Sequence, residues 1–399
     1  MLRQCKFTII TTIFSNYLYI SLTTQFIAMN INRNEQEDEL FYRIALSVVP
    51  GIGAKTAKTL LDKYGSAVAI FRTSLKELKN NEGIGEIKVK AFRDASVMQQ
   101  AEKEWNYVSK NQVDLLCYKL NYPQRLVNCS DAPPLLYYKG NADYNTKKII
   151  AVVGTRKNTD YGLKLCEDLV EQLHQLENVI VISGLALGID AIAHKKALQM
   201  GVPTIGVLGH GCDMIYPHNH KSLVAQMVEN GGILTEFPSG TLPDRNNFPM
   251  RNRIVAGMSD ITVVIESGIS GGALITAQMA CGYNREVAAY PGRVNDKSSA
   301  GCNELIRSNT AAMITKFDDL ADLMNWKNNK PKTVQRQLFI TLSAEEQQLI
   351  NILQTKDSVH ADELFHQSGL SNSQLAVTLL NLEMQGLVKT LPGKYYRIN

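Results

Sequence analysis

The spacing of apolar residues divides the chain into segments of different periodicity. Between positions 38 and 101, apolar residues recur at the spacing of one buried helix face. Two glycine-containing stretches interrupt that pattern, Val49-Pro50-Gly51-Ile52-Gly53 and Gly83-Ile84-Gly85. Glycine and proline mark turns. The pattern therefore predicts two helix-turn-helix units in tandem.

The first of these turns is similar to a helix-hairpin-helix turn. Its glycines, Gly51 and Gly53, would let backbone N–H groups approach a DNA phosphate. A small helical bundle whose glycines only make tight turns explains the same residues. The sequence leaves both interpretations open, and the second turn is the weaker match.

From Lys147 to about Met324, short β-rich runs alternate with amphipathic stretches. The predicted strands are Ile149–Val153, Val179–Ile182, Thr204–Leu208, Ile233–Glu236, Ile261–Glu266 and Glu286–Tyr290. The predicted helices between them include Gly162–Leu176, Asp190–Met200 and Gly272–Cys281. This alternation predicts an α/β fold with a mostly parallel, Rossmann-like sheet covered on both faces, and ligand sites where loops leave the carboxyl ends of strands.

The tail after a polar linker at Asn325–Gln337 has the order of a winged helix. Helices are predicted at Ala344–Gln354, Ala361–Ser368 and Ser371–Gln385, followed by a hairpin at Leu387–Ile398. The third helix contains no Arg or Lys, and phosphate neutralisation needs cations. We therefore expect a structural or protein-contact module here rather than a reader of duplex DNA.

Composition adds three limits to this picture. A chain of 399 residues exceeds one hydrophobic core, so several domains are expected. The excess of 42 Lys and Arg over 38 Asp and Glu is small, so any nucleic-acid site must be a local patch. The seven cysteines form no C-x-x-C pair and are predicted to be reduced thiols of a cytoplasmic protein.

The amino terminus allows two interpretations. Residues 7–32 carry no charge and follow Arg3 and Lys6, which resembles a signal or anchor segment. The stretch also contains many Thr, Ser and Asn residues, and Met29 begins a more ordinary start before a charged run. We predict that this stretch is an upstream extension of the gene model, and the choice between Met1 and Met29 as the start stays open. A membrane anchor is the alternative.

Four loops that follow predicted strands carry groups suited to anions. The first is Gly154-Thr155-Arg156, immediately before a predicted helix. Free N–H groups and the helix dipole at a helix N-terminus favour an anion, and a guanidinium adds a fork-shaped donor for phosphate. For this loop alone, a plain turn with a solvated arginine is the alternative.

The second loop begins with Ser183-Gly184 and reaches Gly188 and Asp190. Its glycines and serine suggest backbone donors directed at a phosphate or sugar, although Asp190 fits equally well as a helix cap. His194 lies one helical turn after Asp190, so an Asp–His hydrogen bond that orients the loop is expected.

The third region combines Phe248, Arg251, Asn252 and Arg253. The two arginines could pair with phosphates while Phe248 stacks on an unpaired base. A helix whose arginines pair with acidic side chains is the alternative interpretation.

The fourth region, residues 266–276, is a Gly–Ser loop that enters a helix and includes Ser270 and Gly271. Because the carboxyl ends of parallel strands share one edge of a sheet, the four loops are expected to converge on one rim. That convergence is more informative than any one loop.

The ordered series of loops resembles the DNA-processing protein A (DprA or Smf) family. The resemblance extends from about Tyr122 to Thr315 through further short motifs, which are Tyr122-Pro123, Pro133-Pro134-Leu135-Leu136-Tyr137, Tyr216-Pro217, Pro291-Gly292 and Gly301-Cys302-Asn303-Glu304-Leu305-Ile306. The tandem hairpins before this region and the winged helix after it fit the three-part architecture of some family members.

The resemblance implies a protein that binds and protects single-stranded DNA, associates with itself as a homodimer, and loads the RecA recombinase during natural transformation. It implies neither a catalytic residue nor a cofactor. The DNA pocket carries over to Gly154, Thr155 and Arg156, to the Ser183-Gly184 loop, and to Arg251 and Arg253. The expected segments are an extension at 1–35, a helical domain at 36–105, a Rossmann-like domain at 106–324, a linker at 325–340 and a winged helix at 341–399.

Three alternative interpretations account for parts of the same sequence. His210, Cys212, His218 and His220 are close enough in sequence to suggest zinc, but the family motif explains their loop without a metal. A Rossmann-like nucleotide phosphoribohydrolase would need a Pro-Gly-Gly-x-Gly-Thr loop with a paired glutamate, and Ser270-Gly271-Gly272-Ala273 stands in its place. A duplex-DNA regulator would need a cationic third helix in the tail.

Overall fold

The computed structural model describes residues 33–326, 342–356, 358–391 and 393–398. These residues form two compact units, one at 33–326 and one at 342–398. The anchor segment at 7–32 lies outside the described residues, as does nearly all of the predicted extension at 1–35 and of the predicted linker at 325–340. No helix within the described ranges is long and apolar enough to cross a membrane.

The first unit begins with six helices, in the region where the sequence predicts two helix-turn-helix units in tandem. They are α1 (Glu35–Val48), α2 (Ala54–Tyr64), α3 (Ala67–Arg72), α4 (Leu75–Lys79), α5 (Glu86–Ala91) and α6 (Ala95–Asn111). Side chains fix several of their starts: Asn34 accepts from the Glu37 N–H in a capping box, and Asp94 accepts from the Ser96 N–H.

A nine-stranded sheet follows. Its strands are β1 (Asp114–Cys117), β2 (Leu135–Gly140), β3 (Lys148–Val153), β4 (Val179–Ser183), β5 (Thr204–Val207), β6 (Gly231–Thr235), β7 (Ile261–Val264), β8 (Glu286–Ala289) and β9 (Ala312–Met313). Their order is β1-β2-β6-β5-β4-β3-β7-β8-β9. The strands from β6 to β9 in that order run parallel, and β1 and β2 pair antiparallel at one end. The predicted Rossmann-like, mostly parallel fold is confirmed.

Helices cover both faces of the sheet. They are α7 (Gln124–Val127), α8 (Asp160–Leu173), α9 (Ile189–Gln199), α10 (Lys221–Glu229), α11 (Asn247–Met258), α12 (Gly272–Gly282), α13 (Ala300–Arg307) and α14 (Phe317–Leu323). In β3, Ile150 and Val152 pack in a cluster with Leu169 of α8. Their neighbour Ala151 packs in the opposite cluster with Ala277 of α12. The strand is therefore apolar on both faces, which is typical of a buried parallel strand.

The amino-terminal helices share a hydrophobic core with the sheet rather than forming a separate one. Two buried polar side chains also join them. Lys58 of α2 donates to the carbonyl oxygens of Val127 and Cys129, at 3.2 and 2.8 Å. Glu104 of α6 accepts from the N–H and hydroxyl of Ser239. The helical segment thus supports the loop that follows β6.

The second unit contains α15 (Ala344–Leu353), α16 (Ala361–Ser368) and α17 (Asn372–Met384) with the short strands β10 (Val359–His360), β11 (Val388–Leu391) and β12 (Tyr395–Ile398). The strands form an antiparallel sheet in the order β10-β12-β11. Ser371 caps α17, and its side chain accepts from the Gln374 N–H. The predicted winged helix is confirmed.

Candidate functional site

A cleft of about 540 Å³ opens at the carboxyl edge of the sheet. Loops after β3, β4 and β7 line it, together with the first half of α11. Each of the four regions described in the sequence analysis therefore contributes residues to this one cleft. The predicted residues that line the cleft are Gly154, Thr155, Arg156, Gly184, Asp190, Phe248, Arg251, Asn252 and Gly271.

The helix N-terminus nearest Gly154-Thr155-Arg156 is already occupied by a carboxylate of the protein. Glu266, at the end of β7, accepts from the N–H of Thr159 at 2.9 Å and from its hydroxyl at 2.8 Å. Thr159 in turn caps α8. Because Glu266 supplies the negative charge there, the start of α8 is not the anion site that the sequence suggested.

A second carboxylate occupies the start of α9. Asp190 is buried and accepts from the Ala186 N–H at 3.2 Å. Burial raises the pKa of Asp190, and the nearby Arg251 guanidinium opposes that shift. Arg251 is itself buried beneath the cleft, where its Nη1 donates to the carbonyl oxygens of Gly184 and Val207. Asp190 and Arg251 therefore form the rigid floor of the cleft.

The N-terminus of α12 is the one that opens into the cleft. Its N-cap is Gly271, and no side chain in the described ranges caps it. Gly272, Ala273 and Thr276 of its first turns line the cleft. Free N–H groups together with the helix dipole make such a start attractive to an anion. This helix is thus the best-placed phosphate site of the sheet edge.

Two cations stand at the cleft without a counter-ion. Arg156 and Arg245 are both exposed and line the cleft, and neither has an ion pair or hydrogen bond to any residue that the structure describes. The Arg156 guanidinium lies 5.4 Å from the centre of the Phe248 ring, a cation–π contact. Unpaired guanidinium groups beside an open helix start match the chemistry of a phosphate backbone.

An aromatic shelf adjoins these cations. The ring centres of Phe248 and Tyr216 lie 6.2 Å apart with their planes inclined at 31°. Tyr216 is 50% exposed and Leu187 is 46% exposed, and both line a smaller cavity that shares Arg156 and Phe248 with the cleft. Exposed ring faces next to cations suit the stacking of unpaired bases.

Arg253 does not belong to this site, which corrects the sequence prediction. Positions 251 and 253 lie two residues apart on α11, about 200° around a helix, so their side chains point in opposite directions. Arg253 is buried on the far side, where it forms an ion pair with Glu236 and donates to the Asp131 carbonyl oxygen. The alternative interpretation, an arginine paired with an acidic side chain, is correct for this residue.

Three other predicted residues lie beside the cleft without lining it. The Ser183 hydroxyl is buried and donates to the Val152 carbonyl oxygen at 2.6 Å. Gly188 has a φ of +77°, and a Cβ there would overlap the Thr155 carbonyl oxygen, so this glycine lets the first two loops pack together. Ser270 is exposed on the loop before α12.

The predicted Asp190–His194 hydrogen bond is wrong. The Thr204 hydroxyl donates to the Val181 carbonyl oxygen at 3.0 Å, and His194 Nδ1 lies 2.7 Å from the same hydroxyl oxygen. His194 is fully buried, and this burial lowers its pKa to about 3. His194 is therefore a neutral core residue.

The histidine-rich loop at 210–220 shows no metal-binding arrangement. His210 Nδ1 lies 2.9 Å from the Gly211 carbonyl oxygen, and His220 Nδ1 lies 3.1 Å from that of Leu185. Across the ranges that the structure describes, no group of three or more His, Cys, Asp or Glu side chains could hold a metal ion.

Sequence reasoning missed Arg245 of the cleft and Tyr216 of the adjoining smaller cavity. Arg245 lies in the polar stretch just before α11 and was not singled out, although its position three residues before Phe248 was a usable signal. Tyr216 was noted only as part of a motif. Its place beside Phe248 depends on the loop after β5 folding towards α11.

Comparison with known proteins identifies the family of the chain. A family model described as DNA recombination-mediator protein A matches residues 115–325, more than half of the chain. The chain belongs to the DNA-processing protein A (DprA or Smf) family. A model of the DprA winged helix domain matches residues 336–394, and one of a SAM-like helix-hairpin-helix tandem matches residues 44–92.

Individual DprA and Smf proteins are similar over most of their length. Protein Smf of Synechocystis is 33% identical over 290 residues, which cover 71% of this chain and 73% of that protein. A putative DNA processing protein DprA of Mycobacterium tuberculosis is 35% identical over 271 residues, covering 67% and 69%. The X-ray structure of DNA processing protein A from Streptococcus pneumoniae aligns with a TM-score of 0.59 at 30% identity, covering 71% of this chain and 97% of that one.

Proposed function

We propose that this protein binds single-stranded DNA in the cleft. The observation that carries the proposal is the open N-terminus of α12 flanked by the unpaired Arg156 and Arg245. Phosphates would lie against the helix start and the guanidinium groups. The shelf of Phe248 and Tyr216 would accept bases.

The shelf favours a single strand over a duplex. Bases within a duplex are stacked on each other and paired, so their faces cannot reach Phe248 or Tyr216. The cleft also lies in a recess between loops rather than on a projecting helix or ribbon of the kind that enters a major groove. Membership of the DNA-processing protein A family supports a DNA ligand.

A direct test compares a labelled oligonucleotide with the same sequence as a duplex by fluorescence anisotropy across a salt series. We expect tighter binding of the single strand and a steep fall in affinity with salt, because phosphate contacts release counter-ions. Equal or tighter binding of the duplex would contradict the proposal.

We propose binding rather than catalysis at this site. Among the described residues that line the cleft, Asp190 is the only carboxylate. It is buried in the floor of the cleft, where it accepts a hydrogen bond from the Ala186 N–H. The competing function is a nucleotide phosphoribohydrolase. Incubation with nucleoside monophosphates separates the two, because release of a free base would support the enzyme.

The finer assignments rest on the family resemblance. We propose a cytoplasmic homodimer that protects incoming single strands and loads the RecA recombinase on them during natural transformation. Light scattering of the purified chain tests the dimer. An assay of RecA filament growth on strands covered by single-strand-binding protein tests loading, and no acceleration by this chain would contradict it. The division at 36–105, 106–324 and 341–399 is likewise proposed, and limited proteolysis would test it.

A further inference from the structure

The winged-helix unit segregates its charges. Between residues 342 and 398 the sequence has four basic residues, and three of them, Lys389, Lys394 and Arg397, fall in the hairpin of β11 and β12. All six acidic residues of the same stretch precede that hairpin: Glu345, Glu346, Asp357, Asp362, Glu363 and Glu383. The hairpin is thus a positive element on a unit that is otherwise acidic.

Strand register brings two of these cations together. Lys389 and Arg397 are directly paired across β11 and β12, so their side chains leave the same face of the sheet. Both are exposed, and neither has an ion pair or hydrogen bond within the described residues. Like charges directly opposite one another destabilise a strand pair. An unbalanced pair of this kind is expected where an anionic ligand supplies the missing charge.

The same face carries exposed aromatic surface. Tyr395 lies two positions before Arg397, is 43% exposed and pairs with His360 of β10 at 5.0 Å between ring centres. The opposite face holds Val388 and Val359 in the core. The outward face is therefore a flat sheet surface with cations around a tyrosine ring, the combination that binds single strands by backbone contact and stacking.

The helix that would read duplex DNA lacks this chemistry. α17 contains no Lys or Arg, and its exposed side chains include the apolar Val377, Leu380 and Met384. Such a helix cannot neutralise phosphates at a major groove. Lys356 is paired with Glu363, so the lysine and arginine side chains without an ion pair among the described residues of this unit all lie in the hairpin.

We propose that the outward face of the β10-β12-β11 sheet, through Lys389, Tyr395 and Arg397, is a second binding site for single-stranded nucleic acid. It is separate in sequence from the cleft and contacts the strand without reading its bases. The site does not depend on the cleft function proposed above.

The sharpest test is Arg397→Glu in the full chain, since it should shift stability and binding in opposite directions. Opposite charges across β11 and β12 favour the strand pair, so the winged-helix unit should unfold at the same or a higher temperature. Binding to poly(dT) should weaken, with a salt slope reduced by at least about 0.7. The control is Lys356→Glu, which makes the same change in net charge at a residue paired with Glu363.

A double variant, made in two backgrounds, tests the hairpin site independently of the cleft. Lys389→Gln/Arg397→Gln should lower the slope by about 1.4, and binding at physiological salt by about tenfold, both in the wild-type chain and with Arg156→Ala/Arg245→Ala. An unchanged slope in both backgrounds, or a loss equal to that of the control, overturns the proposal. A loss confined to duplex DNA also overturns it, in favour of a duplex contact. If Arg156→Ala/Arg245→Ala leaves binding unchanged while the hairpin variants weaken it, the result refutes DNA binding in the cleft and supports the hairpin site.

Discussion

The opposite roles of Arg251 and Arg253 give a prediction that separates folding from binding. Arg253→Met removes one partner of a buried ion pair, since the Arg253 and Glu236 side chains are only 9% and 10% exposed. The Glu236 carboxylate is then left without its cation. Breaking a buried pair from one side costs about 3–5 kcal/mol. Replacing both residues, as in Glu236→Gln/Arg253→Met, should recover part of that loss.

Urea unfolding followed by tryptophan fluorescence measures the stability of the first unit. The only two tryptophans of the chain, Trp105 and Trp326, both lie in the first unit. We expect a lower midpoint for Arg253→Met, while the folded variant retains single-strand affinity within about twofold, because the side chain lies outside the cleft. A variant that keeps its stability but loses DNA binding would refute the placement of Arg253.

Two further predictions concern the core and the shelf. Because burial holds the pKa of His194 at about 3 while an unfolded histidine titrates near 6.5, stability should be lost as pH falls, by about 1.6 kcal/mol between pH 6.5 and 5. Urea unfolding at both pH values should show this loss in the wild type and in the exposed-site control His218→Gln. The loss should be smaller in His194→Gln, where the buried His210 and His220, whose pKa values burial also lowers, still contribute. An equal loss in all three proteins would contradict the prediction. Phe248→Ala should weaken single-strand binding by about 1–3 kcal/mol, the worth of one stacked base, with little change in salt slope, whereas Phe248→Tyr should retain it. An unchanged single-strand affinity of Phe248→Ala, measured by anisotropy, would exclude base stacking on the shelf.

Much of the architecture could be predicted because it depends on local pattern. The six predicted parallel strands are apolar on both faces, and each is present in the sheet within about two residues. The strands β1, β2 and β9 were missed. β1 and β2 pair antiparallel with each other at one end of the sheet, so neither the alternation of strands with helices nor a hairpin turn marks them. β9 has only two residues.

The site was harder to predict because it depends on which helix starts already have a carboxylate of the protein beside them. A glycine loop before a helix looks the same in sequence at α8, α9 and α12. The Glu266 carboxylate bonds the N-cap residue of α8 across 107 residues of sequence, and Asp190 lies in the first turn of α9. Only the folded chain shows that α12 is left open. The direction of Arg253, in contrast, follows from helix geometry once α11 is recognised.

DNA binding in the cleft requires Arg156 and Arg245 to neutralise phosphates beside the start of α12. This role is measured by the slope of log affinity against log salt for a single-stranded oligonucleotide, compared between the wild type and Arg156→Ala/Arg245→Ala. Loss of two phosphate contacts should reduce the slope by about 1.4. Lys164→Ala/Lys221→Ala, which removes two exposed cations that do not line the cleft, should leave it unchanged. A cleft variant with the wild-type slope, or a control with an equal loss, would contradict the account.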